Sequence, residues 1–85
     1  MVEVLLSSSQ KEYRGFILVT KDFKHPDTGY KHREVYIHNL SAPIEVSNRL
    51  KLILLENNID YFSAKKAAEN CINRCYNGVK QTGRK

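Results

Sequence analysis

Apolar and polar residues alternate along much of the first forty positions, which is the period-two pattern of β-strands. The clearest pair of strands covers residues 13–24 and 30–39, on either side of a turn at residues 26–29. Pro26 opens that turn with a fixed φ, and Gly29 closes it with access to positive φ. This segment is therefore predicted to be a β-hairpin.

Charge sets the register of this hairpin. Placing Lys21 opposite Glu34 also places Asp22 opposite Arg33, which gives two favourable cross-strand pairs. A slip of one residue would set Asp22 against Glu34 and would turn every side chain to the other face of the sheet. The preferred register gathers one continuous apolar face, which we expect to form the floor of the core: Phe16, Leu18, Val35 and Ile37.

A third strand is predicted before the hairpin. Val2, Val4 and Leu6 alternate with other residues, and the polar residues 7–12 are predicted to form the turn into the hairpin. Because residues 16–19 are apolar on both faces, residues 13–23 are expected to be the central strand. The result is a meander of three antiparallel strands in the order 1-2-3.

Two helices are predicted after the sheet. Pro43 suits a first helical turn, and Asn57 and Asn58 end the apolar spacing of the first helix. The second helix is expected to begin near Ser63 as N-cap and to stop at Gly78, with Phe62 packed on Ala67. Its predicted apolar stripe repeats at helical spacing: Ala64, Ala67, Ala68, Cys71, Ile72, Cys75 and Tyr76.

The fold class predicted from these elements is α+β, with a three-stranded antiparallel meander and two α-helices packed on one face, in the order βββαα. Residues 1–78 are expected to form a single domain and residues 79–85 a flexible basic tail. The chain has no apolar run long enough for a signal peptide or a membrane span, and it has two cysteines. These features favour a soluble protein of the cytoplasm.

Charge is distributed unevenly along the 85 residues. Residues 63–85 hold six lysines or arginines and one acid, Glu69, whereas the rest of the chain holds eight of each sign. A local excess of positive charge indicates where an acidic partner docks, and the phosphate backbone is the commonest such partner. The candidate contacts are the bases of the last helix and tail, with the hairpin tip as a second contact: Lys65, Lys66, Arg74, Lys80, Arg84 and Lys85, then Lys24, Lys31 and Arg33.

The predicted function is a small basic binding module without enzymatic activity that binds DNA or RNA through phosphate contacts. The alternative is a protein-protein interaction module, such as a small phage-type inhibitor or adaptor of a host protein, that meets an acidic protein surface. A homodimer formed through the edge strand is a third possibility. No phosphate-cradling glycine loop or nucleophile elbow is present, and neither a catalytic residue nor a cofactor is predicted.

Residues 63–69, with Lys65 and Lys66, resemble the lysine-bearing start of the last helix in double-stranded-RNA-binding domains. That family opens with a helix and passes directly from its strands into the last helix. This chain opens with a strand and inserts residues 44–57, so no residue role is carried over from the resemblance.

Two further groups of residues have chemical alternatives. On the second face of the sheet, Phe23, His32, Tyr36 and His38 are suited to stacking on unpaired bases if they are exposed, although partial burial is expected. Cys71 and Cys75 are expected to be core thiols. The alternative, a zinc site completed by two histidines of the hairpin, lacks the compact cysteine spacing of zinc knuckles, and no metal is predicted.

Overall fold

The computed structural model describes residues 3–79. Its elements follow one another as β1 (Val4–Tyr13), β2 (Phe16–Lys24), β3 (Lys31–Asn39), α1 (Ile44–Asn57) and α2 (Lys65–Val79). The strands form one antiparallel sheet in the order β1-β2-β3. The predicted α+β meander followed by two helices is therefore confirmed.

The predicted register of the β2–β3 hairpin is confirmed at every pair. Lys21 lies opposite Glu34, and Asp22 lies opposite Arg33. The second of these pairs is an ion pair, with 2.7 Å between Arg33 Nε and Asp22 Oδ1. Cross-strand charge was thus sufficient to fix which face of the hairpin points to the core.

The predicted turn at residues 7–12 is wrong, because these residues belong to β1. The chain reverses instead at Arg14 and Gly15, whose φ values of 49° and 85° are both positive, as a two-residue hairpin turn requires. Nearly all of β1 is exposed, so its sequence lacks the apolar alternation of a half-buried strand. A bulge between Leu5 and Ser7 also shifts its register.

The core lies between the sheet and the two helices. Nine buried residues from β2, β3 and both helices form one cluster: Phe16, Leu18, Val35, Val46, Leu50, Ala68, Cys71, Ile72 and Cys75. Each of the four predicted sheet-face residues contributes to it, Ile37 from a half-buried position. Within residues 3–79, neither helix is long and apolar enough to cross a membrane.

The start of α2 differs from the prediction. The helix begins at Lys65, two residues after the expected N-cap Ser63, and it continues through the expected stop at Gly78. Phe62 pairs with Val35 through two backbone hydrogen bonds of 2.8 and 2.9 Å and packs on the core, while Ala67 is exposed. Backbone pairing with β3 therefore fixes the approach to α2, in place of a packing contact between residues 62 and 67.

The connection from β3 to α1 is anchored on the first hairpin turn. The carbonyl oxygen of Gly15 accepts hydrogen bonds from the N–H groups of Leu40, Ser41 and Ala42, at 2.9, 2.9 and 3.1 Å. Pro43 lies one position before the first turn in which it was predicted, as the N-cap of α1, and Asn58 ends the helix in the left-handed conformation. This anchor positions α1 beside α2.

Candidate nucleic-acid interface

The outward surface of α2 carries a stripe of exposed basic and amide side chains. They recur every three or four residues and therefore share one face of the helix: Lys66, Asn70, Arg74 and Asn77. At the rise of an α-helix this stripe is about 16 Å long. The one acid of α2, Glu69, forms a salt bridge with Lys11 at 3.2 Å. The stripe consequently keeps its positive charge.

A groove separates α1 from α2 on this side of the molecule. Arg49, Ile53 and Asn57 line it from α1, and Arg74 and Asn77 line it from α2, around a volume of about 580 Å³. Among residues 3–79, neither of the two arginines forms a salt bridge. Two guanidinium groups and two amides thus face one opening, and both groups donate hydrogen bonds of the kind that phosphate oxygens accept.

The positive charges of Arg49 and Arg74 act on Cys75, a buried residue of α2. Burial raises the pKa of the Cys75 thiol to about 11, and the positive charges of Arg49 and Arg74 oppose that shift. Glu56 lines a second depression together with Arg49 and forms no salt bridge with it.

The hairpin tip presents a pair of lysine side chains as a second basic site. Lys24 and Lys31 lie directly opposite each other at the end of the hairpin, and both are exposed. Like charges at opposed positions repel each other, so a bound anion would relieve the repulsion. This part of the predicted interface is available for an acidic partner.

A further predicted contact residue, Arg33, is already paired with an acid. Arg33 donates hydrogen bonds to both carboxylate oxygens of Asp22, at 2.7 and 3.2 Å. This guanidinium lowers the pKa of Asp22, and the charge of Lys65 lowers it further. Less of the charge of Arg33 is therefore available to a partner.

The remaining predicted contacts, Lys80, Arg84 and Lys85, lie outside the described residues. Arg49 and Asn57 were missing from the prediction although they line the groove. Their spacing placed them beside the apolar stripe of α1, but only the packing of the two helices shows that Arg49 meets Arg74.

Three of the four rings predicted for the second face of the sheet are half-buried, as expected, and His38 is exposed. Phe23 is stacked on His32 with 5.2 Å between ring centroids, and Tyr36 packs at a tilt of 50° on the exposed Tyr61 with 5.6 Å between centroids. Carboxylates flank both sides of His32. Negative charge beside the rings opposes the approach of a phosphate backbone.

The cysteine and histidine side chains lie apart. Cys71 and Cys75 are buried free thiols in the core between α2 and the sheet. His32 and His38 pair with Phe23 and Ile17, whose side chains point to the other face of the sheet. The sheet consequently separates these histidines from both thiols.

Comparison with models of protein families, with curated protein sequences and with solved structures gave no match.

Proposed function

We propose that this protein is a small cytoplasmic module without enzymatic activity that binds nucleic acid through its phosphate backbone. The observation that supports the proposal best is the groove between α1 and α2, where Arg49 and Arg74 face each other with two amides and without a salt bridge among the described residues. Arginine is suited to this role because its planar guanidinium donates paired hydrogen bonds to phosphate oxygens. The two free cysteines support the assignment to the cytoplasm, because the cysteines of small secreted domains are usually joined in disulfides.

The exposed stripe of α2 extends the proposed contact beyond the groove. Lys66 and Asn70 continue the line of Arg74 and Asn77 toward the start of the helix. In sequence, the basic residues of the tail follow directly on α2. A nucleic-acid backbone lying along α2 would therefore meet a succession of basic side chains, with the groove at one end.

The experiment is a salt titration of binding to duplex and single-stranded DNA and RNA, followed by fluorescence anisotropy. Replacing both Arg49 and Arg74 by alanine is expected to weaken binding by at least about tenfold per residue. On duplex DNA, the slope of log affinity against log salt should become shallower by about 0.9 for each phosphate that the variant no longer neutralises. Replacing Lys21 and Lys51 removes the same charge away from the groove and serves as the matched control.

The outcomes separate three cases. A larger loss of affinity in the arginine variant than in the lysine control supports the groove as the site of contact. Equal losses would mean that net charge alone attracts the nucleic acid. Absence of binding by the unmodified protein at low salt, to all four nucleic acids, would overturn the proposal.

A second candidate function is a protein-protein interaction module, such as an inhibitor or adaptor of phage type. The outward face of α1 favours it, because Ile44, Leu52 and Leu55 are exposed to 70%, 55% and 75%. An apolar strip on the outer side of a surface helix is typical of a contact with another protein. The exposed edge of β1 is available for the homodimer, and sedimentation of Leu55→Lys and Leu5→Lys variants would distinguish the two surfaces.

A further inference from the structure

We infer that Glu3, His32 and Glu34 form a binding site for a divalent transition-metal ion such as Zn²⁺ on the face of the sheet opposite the helices. One ligand atom from each of the three residues lies within 4.8 Å of the other two. An imidazole nitrogen with two carboxylate oxygens is a donor set that zinc and its neighbours accept. This site is independent of the proposed binding of nucleic acid.

The three ligands come from two parts of the chain that are not adjacent in the sheet. Glu3 immediately precedes β1, while His32 and Glu34 lie on β3, with β2 between them. Glu3 Oε2 lies 3.0 Å from His32 Nδ1, and Glu34 Oε2 lies 3.0 Å from His32 Nε2. A metal held by one ring nitrogen and both carboxylates needs ligand atoms no more than about 4.2 Å apart, which follows from metal-ligand bonds of about 2.1 Å. The two carboxylates lie beside different ring nitrogens, so a metal on one nitrogen requires the glutamate beside the other nitrogen to turn toward it.

Neighbouring side chains hold two of the ligands in place. The Tyr36 hydroxyl donates a hydrogen bond of 2.7 Å to Glu34 Oε1, which leaves Oε2 directed at the histidine. The imidazole of His32 is stacked between Phe23 and Tyr30, with centroid distances of 5.2 and 6.2 Å. Contacts of this kind fix the orientation of metal ligands and commonly matter for affinity.

The charge of the cluster also suits a cation. Two carboxylates meet at one imidazole, and among residues 3–79 no lysine or arginine forms a salt bridge with either of them. Lys21 also lies on this face, with its ammonium 5.4 Å from the centroid of the Tyr36 ring, and its charge acts on Glu34. A divalent ion would balance the two negative charges and would tie the beginning of the chain to β3 across the central strand.

The sequence alone did not predict this site, and it predicted no metal. Glu3 and His32 are far apart along the chain, and nothing in their spacing resembles a metal motif. Glu34 was predicted as the partner of Lys21, and it does lie opposite that residue, but its carboxylate turns to His32 and Tyr36.

The experiment is isothermal titration of Zn²⁺ into the untagged protein, with Co²⁺ absorption as a second readout of coordination. We expect one ion per chain and a rise in melting temperature on binding. His32→Ala should abolish binding, and Glu3→Gln should weaken it without affecting the fold, because Glu3 lies outside the core. Tyr36→Phe leaves all three ligands in place and should cost about tenfold in affinity.

His38→Ala is the matched control, since His38 occupies the same face at the other end of β3 and forms no salt bridge among the described residues. Its affinity for Zn²⁺ should be unchanged. Absence of one-to-one binding by the unmodified protein, or full binding by both the His32→Ala and the Glu3→Gln variants, would overturn the inference. In that case the cluster is a set of hydrogen bonds between one imidazole and two carboxylates.

Discussion

Gly15→Ala is expected to destabilise the fold more than Gly29→Ala, although both change a glycine at positive φ. The φ values are similar, 85° at Gly15 and 74° at Gly29, so the strain that a side chain adds to the backbone is nearly the same. The surroundings differ. A Cβ atom at Gly29 would have no neighbour within 4 Å, whereas one at Gly15 would lie 2.9 Å from the backbone nitrogen of Ala42.

The crowding at Gly15 cannot be relieved by a small shift. The Ala42 N–H is held by the Gly15 carbonyl at 3.1 Å and by Asn39 Oδ1 at 3.2 Å. Moving Ala42 away would also disturb the N–H groups of Leu40 and Ser41, which donate to the same carbonyl. We therefore expect about 1 kcal/mol of destabilisation for Gly29→Ala from backbone strain. For Gly15→Ala we expect about 1–3 kcal/mol more, the usual cost of overpacking.

Urea unfolding followed by circular dichroism measures both variants. The lower conformational entropy of alanine in the unfolded chain affects the two equally, so it cancels in their difference. A difference of about 1–3 kcal/mol is large against a total stability of about 4–13 kcal/mol for a domain of this length. Equal losses of stability in the two variants would show that the contact between Gly15 and Ala42 does not anchor α1.

Two further predictions concern titratable groups. The Glu34 carboxylate beside Tyr36 raises the pKa of that phenol to about 12, so this stabilisation is complete below pH 10.0 and is lost as the pH rises toward the higher value. An ultraviolet titration in metal-free buffer should show ionisation of a tyrosine near pH 12 that is absent in Tyr36→Phe, and identical titration curves for the two proteins would contradict it. Burial raises the pKa values of Cys71 and Cys75. A disulfide reagent should therefore modify the two thiols only as fast as the protein opens. Rapid reaction of the native protein would contradict this prediction.

The hairpin was predictable because its signals were local and strong. Opposite charges at Asp22 and Arg33, and a turn that begins with Pro26, determine the register without knowledge of the rest of the fold. The end of α1 was equally clear, since Asn58 adopts the left-handed conformation that asparagine tolerates. Elements whose structure depends on residues close in sequence, or on pairing across one hairpin, can therefore be predicted from this sequence.

The first strand was mispredicted because β1 is an exposed edge. Burial of alternate residues produces the apolar pattern by which strands are recognised, and Ser7, Ser8 and Ser9 are all exposed. The reversal at Arg14 was also hidden, because arginine is an uncommon residue at positive φ. Pairing with β2 supplied the strand structure that the local sequence did not indicate.

For the candidate interface, the sign of the charges could be predicted from the sequence, but their partners could not. Arg33 was predicted as a contact for an acidic ligand, but the fold pairs it with Asp22. Arg49 was overlooked because its counterpart, Arg74, follows it by more than twenty residues on another helix. Tertiary packing decides which basic side chains remain free to bind a partner. The sequence of a single helix or strand does not show this.

The two proposed sites can coexist because they lie on opposite sides of the sheet. The groove with Arg49 and Arg74 opens between the helices, while His32 and its two carboxylates occupy the face that the helices leave uncovered. Packed layers are separated by about 10 Å, and at physiological ionic strength charges are largely screened beyond about 8 Å. The arginines would therefore scarcely repel a metal ion on the sheet, and the carboxylates would scarcely repel a phosphate backbone at the helices. A net charge of +5 thus describes neither surface, since the effect of each charge depends on the face from which it acts.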